Sequence, residues 1–137
     1  MAQTAGYSGK PLTQKLGLKD GTQAAVIAAP EPYDALVEDF PVKHVASPDT
    51  LTGDWAFLHL FCRETADLEA GLAPVFDQLA EGGMIWVSWP KKSSKLWRDM
   101  TEDDVRRVAL PMGLVDVKVC AVDADWSGLK LMRRKKQ

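Results

Sequence analysis

Cysteine and histidine are scarce in this 137-residue chain, two of each, and neither type clusters. Cys62 and Cys120 form no CxxC pair and stand at no metal-ligand spacing from His44 or His59, so no metal site is expected. Each cysteine lies in an apolar segment. Spacing alone leaves a disulfide between them open, but two buried free thiols in a reducing cytosol are the simpler expectation. No apolar run reaches the ~20 residues that a membrane span needs. The N-terminus lacks a charged-then-apolar signal pattern, which places the chain in the cytoplasm with no membrane partner. The phosphate-cradling pattern GxxxxGK(S/T) is absent, as are internal repeats and low-complexity stretches. With a net charge of −2, a generalised attraction to nucleic acid or to an anionic membrane is not expected.

What is present is ordinary for one globular domain spanning residues 1–137: 46% apolar and 26% charged residues. Charge is uneven along it. Lys91, Lys92, Lys95 and Arg98 occur with no acid in residues 91–98, and 133–136 are all basic, whereas acids gather in 31–39 and 64–81. Residues 1–10 are small and polar and read as an arm, and residues 134–137 as a frayed basic tail.

Between these ends the chain alternates. Pro11 and Gly17 bracket a short helix over 12–16. The continuous apolar run 24–29 reads as a strand buried on both faces, stopped by Pro30 and Pro32. A short helix over 33–37 and a short strand over 42–45 follow, then a polar loop over 49–54. Residues 55–62 form another apolar strand. Leu68, Leu72, Val75, Phe76 and Leu79 recur at spacings of three and four, which predicts a helix ended by Gly82-Gly83. A strand over 84–89 leads into Pro90. Thr101 caps a helix over 102–110 with acids in its first turn. The alternation over 114–122 predicts a strand, a turn follows over 123–128, and 129–133 returns antiparallel to it. The expected fold class is α/β: a reduced Rossmann-like, mostly parallel sheet with helices on both faces and a C-terminal antiparallel hairpin.

Open α/β sheets bind ligands beyond the carboxyl ends of their strands. Lys91, Lys92, Ser93 and Ser94 leave the 84–89 strand at that edge and form the candidate anion site, through hydroxyls, backbone N–H groups and lysine charge. The alternative is a solvated loop. Residues 6–10 could fold over the same edge and add Tyr7 and Lys10, or could serve only as an arm. Trp89 and Trp97 flank the loop and could stack on a ring, although packing is the commoner fate of tryptophan. Trp86 and Trp89, three apart in a strand, face opposite sides. His59, amid apolar neighbours, reads as a core histidine with a satisfied hydrogen bond. Asp123 and Asp125 read as turn formers.

Residues 54–59 and 79–86 resemble the C-terminal half of a Rossmann-type methyltransferase, a likeness that extends over roughly 54–133. In that superfamily a strand near the substrate is followed by a helix and a Gly-Gly turn. The first half departs from the pattern. Where cofactor-binding members place a glycine-rich loop, this chain reads Ala28-Ala29-Pro30-Glu31-Pro32-Tyr33. The departure implies that cofactor binding is lost. The whole chain is also similar to a small bacterial family of unknown function, through residues 5–12, 88–94, 115–123 and 126–130. That likeness implies no activity. The expectation is therefore a non-enzymatic binding or interaction module without cofactor, taking a small anionic ligand or a protein partner. The alternative is a divergent S-adenosylmethionine-dependent methyltransferase or nucleotide-binding enzyme.

Overall fold

The computed structural model describes residues 11–135. Six strands form one sheet in the order β2-β1-β3-β4-β6-β5: β1 (Ala24–Ile27), β2 (Lys43–Val45), β3 (Trp55–Phe61), β4 (Leu79–Pro90), β5 (Leu114–Ala121) and β6 (Trp126–Arg133). The first four are parallel, and β6 runs antiparallel between β4 and β5. The expected α/β class, parallel body and terminal hairpin are therefore observed.

Period-two alternation assigns the faces. Leu58 and Leu60 of β3, with Ile85, Val87 and Trp89 of β4, pack beneath α3 (Thr65–Phe76) and α4 (Glu102–Ala109). Phe57 and Phe61, with Trp86 of β4, pack on the opposite face with α1 (Leu12–Leu16) and α2 (Tyr33–Leu36). Trp86 and Trp89 thus enter different cores, and both are buried. Burying each leucine or valine of α3's inner face contributes roughly 1.5–3 kcal/mol, which is why so short a chain needs both layers. Trp86 also donates from Nε1 to the carbonyl of Leu16 at 2.8 Å. That bond pins α1 to the middle of β4. Gly17 closes α1 with φ +88°.

The long helix ends earlier than its apolar spacing suggests. It stops at Phe76, and Leu79 already pairs with Trp55 in the sheet. Between that pair and Phe57↔Met84, β4 advances five residues while β3 advances two, so Gly82-Gly83 belongs to a bulge rather than to a helix end. A Cβ on Gly83 would lie 2.9 Å from the carbonyl oxygen of Ala56, so only glycine fits there. Arg133 satisfies the carbonyls of the bulge, donating to Leu79 at 2.7 Å and to Ala80 at 2.9 Å. Arg134, assigned by sequence to a frayed tail, donates to the carbonyls of Leu110 and Gly113. The first strand is also shorter than its apolar run, because Ala28 turns to φ +61°. The β5–β6 return begins at Trp126, three residues before the expected start at 129.

The hidden caps are carboxylates. Asp67 accepts from the N–H groups of Arg63 and Glu64 at the start of α3, and Asp104 accepts from Thr101 at the start of α4. Cys62 and Cys120 are free and pack on opposite faces of the sheet.

Candidate functional site

The strand order creates a topological switch between β1 and β3. From β1 the chain crosses by α2 on one face to reach β2; from β3 it crosses by α3 on the other face to reach β4. The two connections diverge and leave a crevice at the carboxyl ends of the strands, the place where open α/β sheets take ligands. Here it has a volume of about 360 Å³, within the ~300–1,000 Å³ of small-molecule sites. Ala28 supplies one wall from the end of β1, Leu60 and Phe61 another from β3, and Ala70 and Gly71 of α3 close the side. Gly71 permits this closeness: a Cβ there would sit 3.1 Å from Cγ of Pro48.

The polar groups come from loops. Ser47 and Asp49 follow β2, and the Ser47 hydroxyl donates to Asp49 Oδ1 at 2.6 Å. That bond holds the Asp49 carboxyl below its ordinary pKa, so the crevice keeps a fixed negative group at one end. Arg63, also on the crevice wall, lies with its guanidinium 5.5 Å from the ring centre of Trp126. Asp67 also faces the crevice but is engaged in capping α3. Ala28 is one of three non-glycine residues with positive φ among those described, a conformation that costs an L-residue roughly 1–2 kcal/mol. This strained residue stands at the end of the first strand, on the wall of the crevice.

Directly behind Phe61 lies a sealed polar chain. His59 Nδ1 is hydrogen bonded to the Tyr33 hydroxyl at 3.0 Å, and Nε2 to the Ser88 hydroxyl at 2.7 Å. All three residues are fully buried. Burial pushes the imidazole down to about pKa 3 and the Tyr33 phenol well up, with Asp34 adding to the latter. The Phe61 ring stacks on His59 with centroids 4.4 Å apart. A hydroxyl–imidazole–hydroxyl chain resembles a catalytic relay in composition, but here no atom of it meets solvent. It holds the rings behind the crevice in place, as the expected core histidine.

The candidate loop 91–94 lies on the same edge of the sheet, beyond β4. Its geometry is set by the β5–β6 connection. Lys91 donates its N–H to the carbonyl of Asp125 at 2.8 Å, and the Ser94 hydroxyl donates to Asp125 Oδ1 at 2.9 Å. An acid thus sits within the basic loop and takes one of the hydroxyls foreseen for an anion. Ser93 and Lys92 are exposed and Lys91 is half-buried. Trp89 is core and offers no free ring face at the loop, while the half-buried Trp97 is held by donating from Nε1 to the Met100 carbonyl at 3.0 Å. Asp123 accepts from Asp125 and Trp126 as a turn former. Lys10 and Tyr7 lie outside the described residues. Sequence reasoning passed over Ala28, Asp49 and Arg63 as a set. One signal was available: Asp49 follows Ala28 by 21 residues, close to the ~20-residue offset at which dinucleotide-binding folds carry a ribose-binding acid.

Comparison with solved structures shows the fold. The chain is similar to magnesium protoporphyrin IX methyltransferase (ChlM) from Synechocystis, with bound SAM, at 11% identity and TM-score 0.61, covering 90% of this chain and 74% of that one. It is similar to a TehB-like SAM-dependent methyltransferase from Corynebacterium glutamicum at 12% identity and TM-score 0.56, covering 95% and 91%. It is also similar to the glycopeptide N-methyltransferase MtfA complexed with (S)-adenosyl-L-methionine, at 10% identity and TM-score 0.60, covering 90% and 86%. No curated protein matches the chain in sequence. The family model of DUF3052, described as a protein of unknown function, matches residues 37–135, and the chain belongs to that family on a methyltransferase-like Rossmann fold.

Proposed function

We propose that this protein is a binding module that holds a small ligand in the crevice between β1 and β3 without transforming it. The observation that carries the reading is the strained Ala28 on the wall of an open crevice at the switch point of the sheet. Asp49 suits hydroxyl groups of the ligand, and Arg63 suits an anionic end. The ionisable side chains on the crevice wall are Asp49, Arg63 and Asp67, and the last is tied into a cap. Among the described residues none of them hydrogen bonds to a histidine, cysteine or tyrosine that could work as a nucleophile or proton carrier. The anion expected at Lys91, Lys92, Ser93 and Ser94 would occupy a neighbouring subsite on the same rim; Lys10, also expected there, lies outside the described residues. Its support is that Lys91, Lys92 and Lys95 enter no ion pair among the described residues. Free thiols at Cys62 and Cys120 suit a reducing cytoplasm.

The second reading is a divergent S-adenosylmethionine-dependent methyltransferase. It is favoured by the 21-residue offset of Asp49 and by the bound cofactor of ChlM and MtfA. Pro30 and Pro32 weigh against it, since they remove N–H groups and flexibility where a cofactor needs close backbone approach. Thermal-shift titration with S-adenosylmethionine, S-adenosylhomocysteine, nucleotides and phosphate tests both. The binding reading expects at least one to raise the melting temperature of the wild type and not of Ala70→Trp, which fills the crevice from an exposed position of α3. No shift with any of them overturns it. A methyl group passed from S-adenosylmethionine to a cell extract establishes the second reading instead.

A further inference from the structure

The β5–β6 hairpin arranges its charges independently of the crevice. In a regular strand, Asp116 and Lys118 would share one face and neutralise each other. They do not, because β5 is bulged between them. Asp116 pairs with Leu131 and Lys118 with Lys130, so two steps along β5 match one step along β6. The extra residue, Val117, is left exposed. As a result Asp116 points to the α4 face, where it accepts from Arg106 Nε at 2.8 Å. Lys118 points to the α1 face, directly opposite Lys130.

Like charges directly opposite one another destabilise a sheet. The arrangement is extended by its neighbours. Lys130 pairs across β4 with Trp86, and Trp86 pins the end of α1 through Leu16. Lys15 and Lys19 lie on either side of that anchored turn, within electrostatic reach of Cys120 and Lys130 respectively. The mutual influence of these groups is physical. Burial, then Lys118 and Lys19, lowers the Lys130 ammonium below its ordinary pKa. Lys15 and Lys118 lower the Cys120 thiol against the larger upward effect of its burial. The one acid of β5 has been turned to the other side of the sheet. Asp20, next to Lys19, is the nearest acid in sequence on the α1 side and is exposed.

Bulges re-aim side chains at functional positions. A bulge that separates a lysine from its natural counter-ion and sets it against a second lysine weakens the apo protein. Such an arrangement is stabilised when an anion lies between the ammonium groups. We propose that Lys118 and Lys130, with Lys19 at the rim, form a binding site for a small, multiply charged phosphate compound on the α1 face of the β5–β6 hairpin. The net charge of −2 for the whole chain favours a compact anion seated between neighbouring lysines over a long polyanion, which would meet the acidic remainder of the surface.

Inorganic pyrophosphate is the probe, followed by thermal shift and calorimetry against sodium chloride at matched ionic strength. The wild type is expected to gain at least about 3 °C from saturating pyrophosphate and little from chloride. Lys118→Glu replaces a like pair with an opposite pair. It is expected to melt higher than the wild type without pyrophosphate and to lose the pyrophosphate shift. Lys91→Ala/Lys92→Ala, on the other rim, is expected to keep the shift, which separates this site from the crevice and its loop. An undiminished shift in Lys118→Glu, a shift that chloride reproduces, or tight binding of duplex DNA with none of pyrophosphate overturns the proposal.

Discussion

His59 Nε2 and the Ser88 hydroxyl lie 2.7 Å apart across the paired strands β3 and β4, both wholly buried. With Tyr33 on the other ring nitrogen, both nitrogens of the imidazole are occupied. In a neutral ring one nitrogen donates and the other accepts, and the two hydroxyls rotate to suit.

Ser88→Ala therefore strands a buried ring nitrogen rather than merely deleting a contact. A loss of about 1–3 kcal/mol is expected in denaturant unfolding. The triple variant Tyr33→Phe/His59→Leu/Ser88→Ala removes every partner together and is expected to lose less than the summed single variants. Additive losses would show that the three groups do not act as one network.

The same histidine makes stability depend on pH. Its pKa is about 3 in the folded protein and near 6.5 when unfolded. The unfolded chain therefore binds more protons as pH falls below about 6.5, so stability falls with pH until the folded group titrates near 3. About 2 kcal/mol is lost by pH 5 from this group alone. Unfolding free energies at pH 7 and pH 5 should differ by that much more in the wild type than in the triple variant, while Ser88→Ala keeps the dependence.

Ala28 gives a prediction opposite in sign to the usual penalty for glycine. At φ +61° the methyl group is strained, so Ala28→Gly is expected to stabilise by about 0.5–1 kcal/mol. Ala28→Val is expected to destabilise by more than that. Chemical denaturation of the two variants checks the order.

Arg133 bridges the carbonyls of Leu79 and Ala80 in the β4 bulge, and its guanidinium lies 5.2 Å from the Phe76 ring centre. Arg133→Met keeps much of the packing but removes the donors. A loss of about 1–2 kcal/mol is expected, with faster amide exchange confined to residues 79–83.

Much of the fold was legible in the chain. Apolar runs and alternation located all six strands, and Thr101 and Gly17 marked helix ends correctly. The errors have particular causes. Leu79 fits a helical spacing, so periodicity alone carried the helix past Phe76. What ends it is pairing of Leu79 with Trp55, a partner 24 residues away in sequence. Gly82-Gly83 was a true signal of special backbone, but its reason is the Ala56 carbonyl pressed against Gly83. Of the candidate site, the edge of the sheet was legible and its electrostatics were not. Asp125, 31 residues from Ser94, enters the basic loop only through the fold of the hairpin.

The sequence by itself determined which residues face inward, because side chains alternate along a strand and recur along a helix by local geometry. It also determined the α/β order and the placement of His59 as a core residue. Tertiary structure decided which charges meet between elements distant in sequence, as Arg106 with Asp116 and Arg107 with Glu69. Electrostatic partners are set by strand order and register, and a one-residue bulge in β5 moves Lys118 from the side of Asp116 to that of Lys130. It likewise opened the crevice at Ala28, since a switch point exists only where two crossovers leave the same sheet in opposite directions.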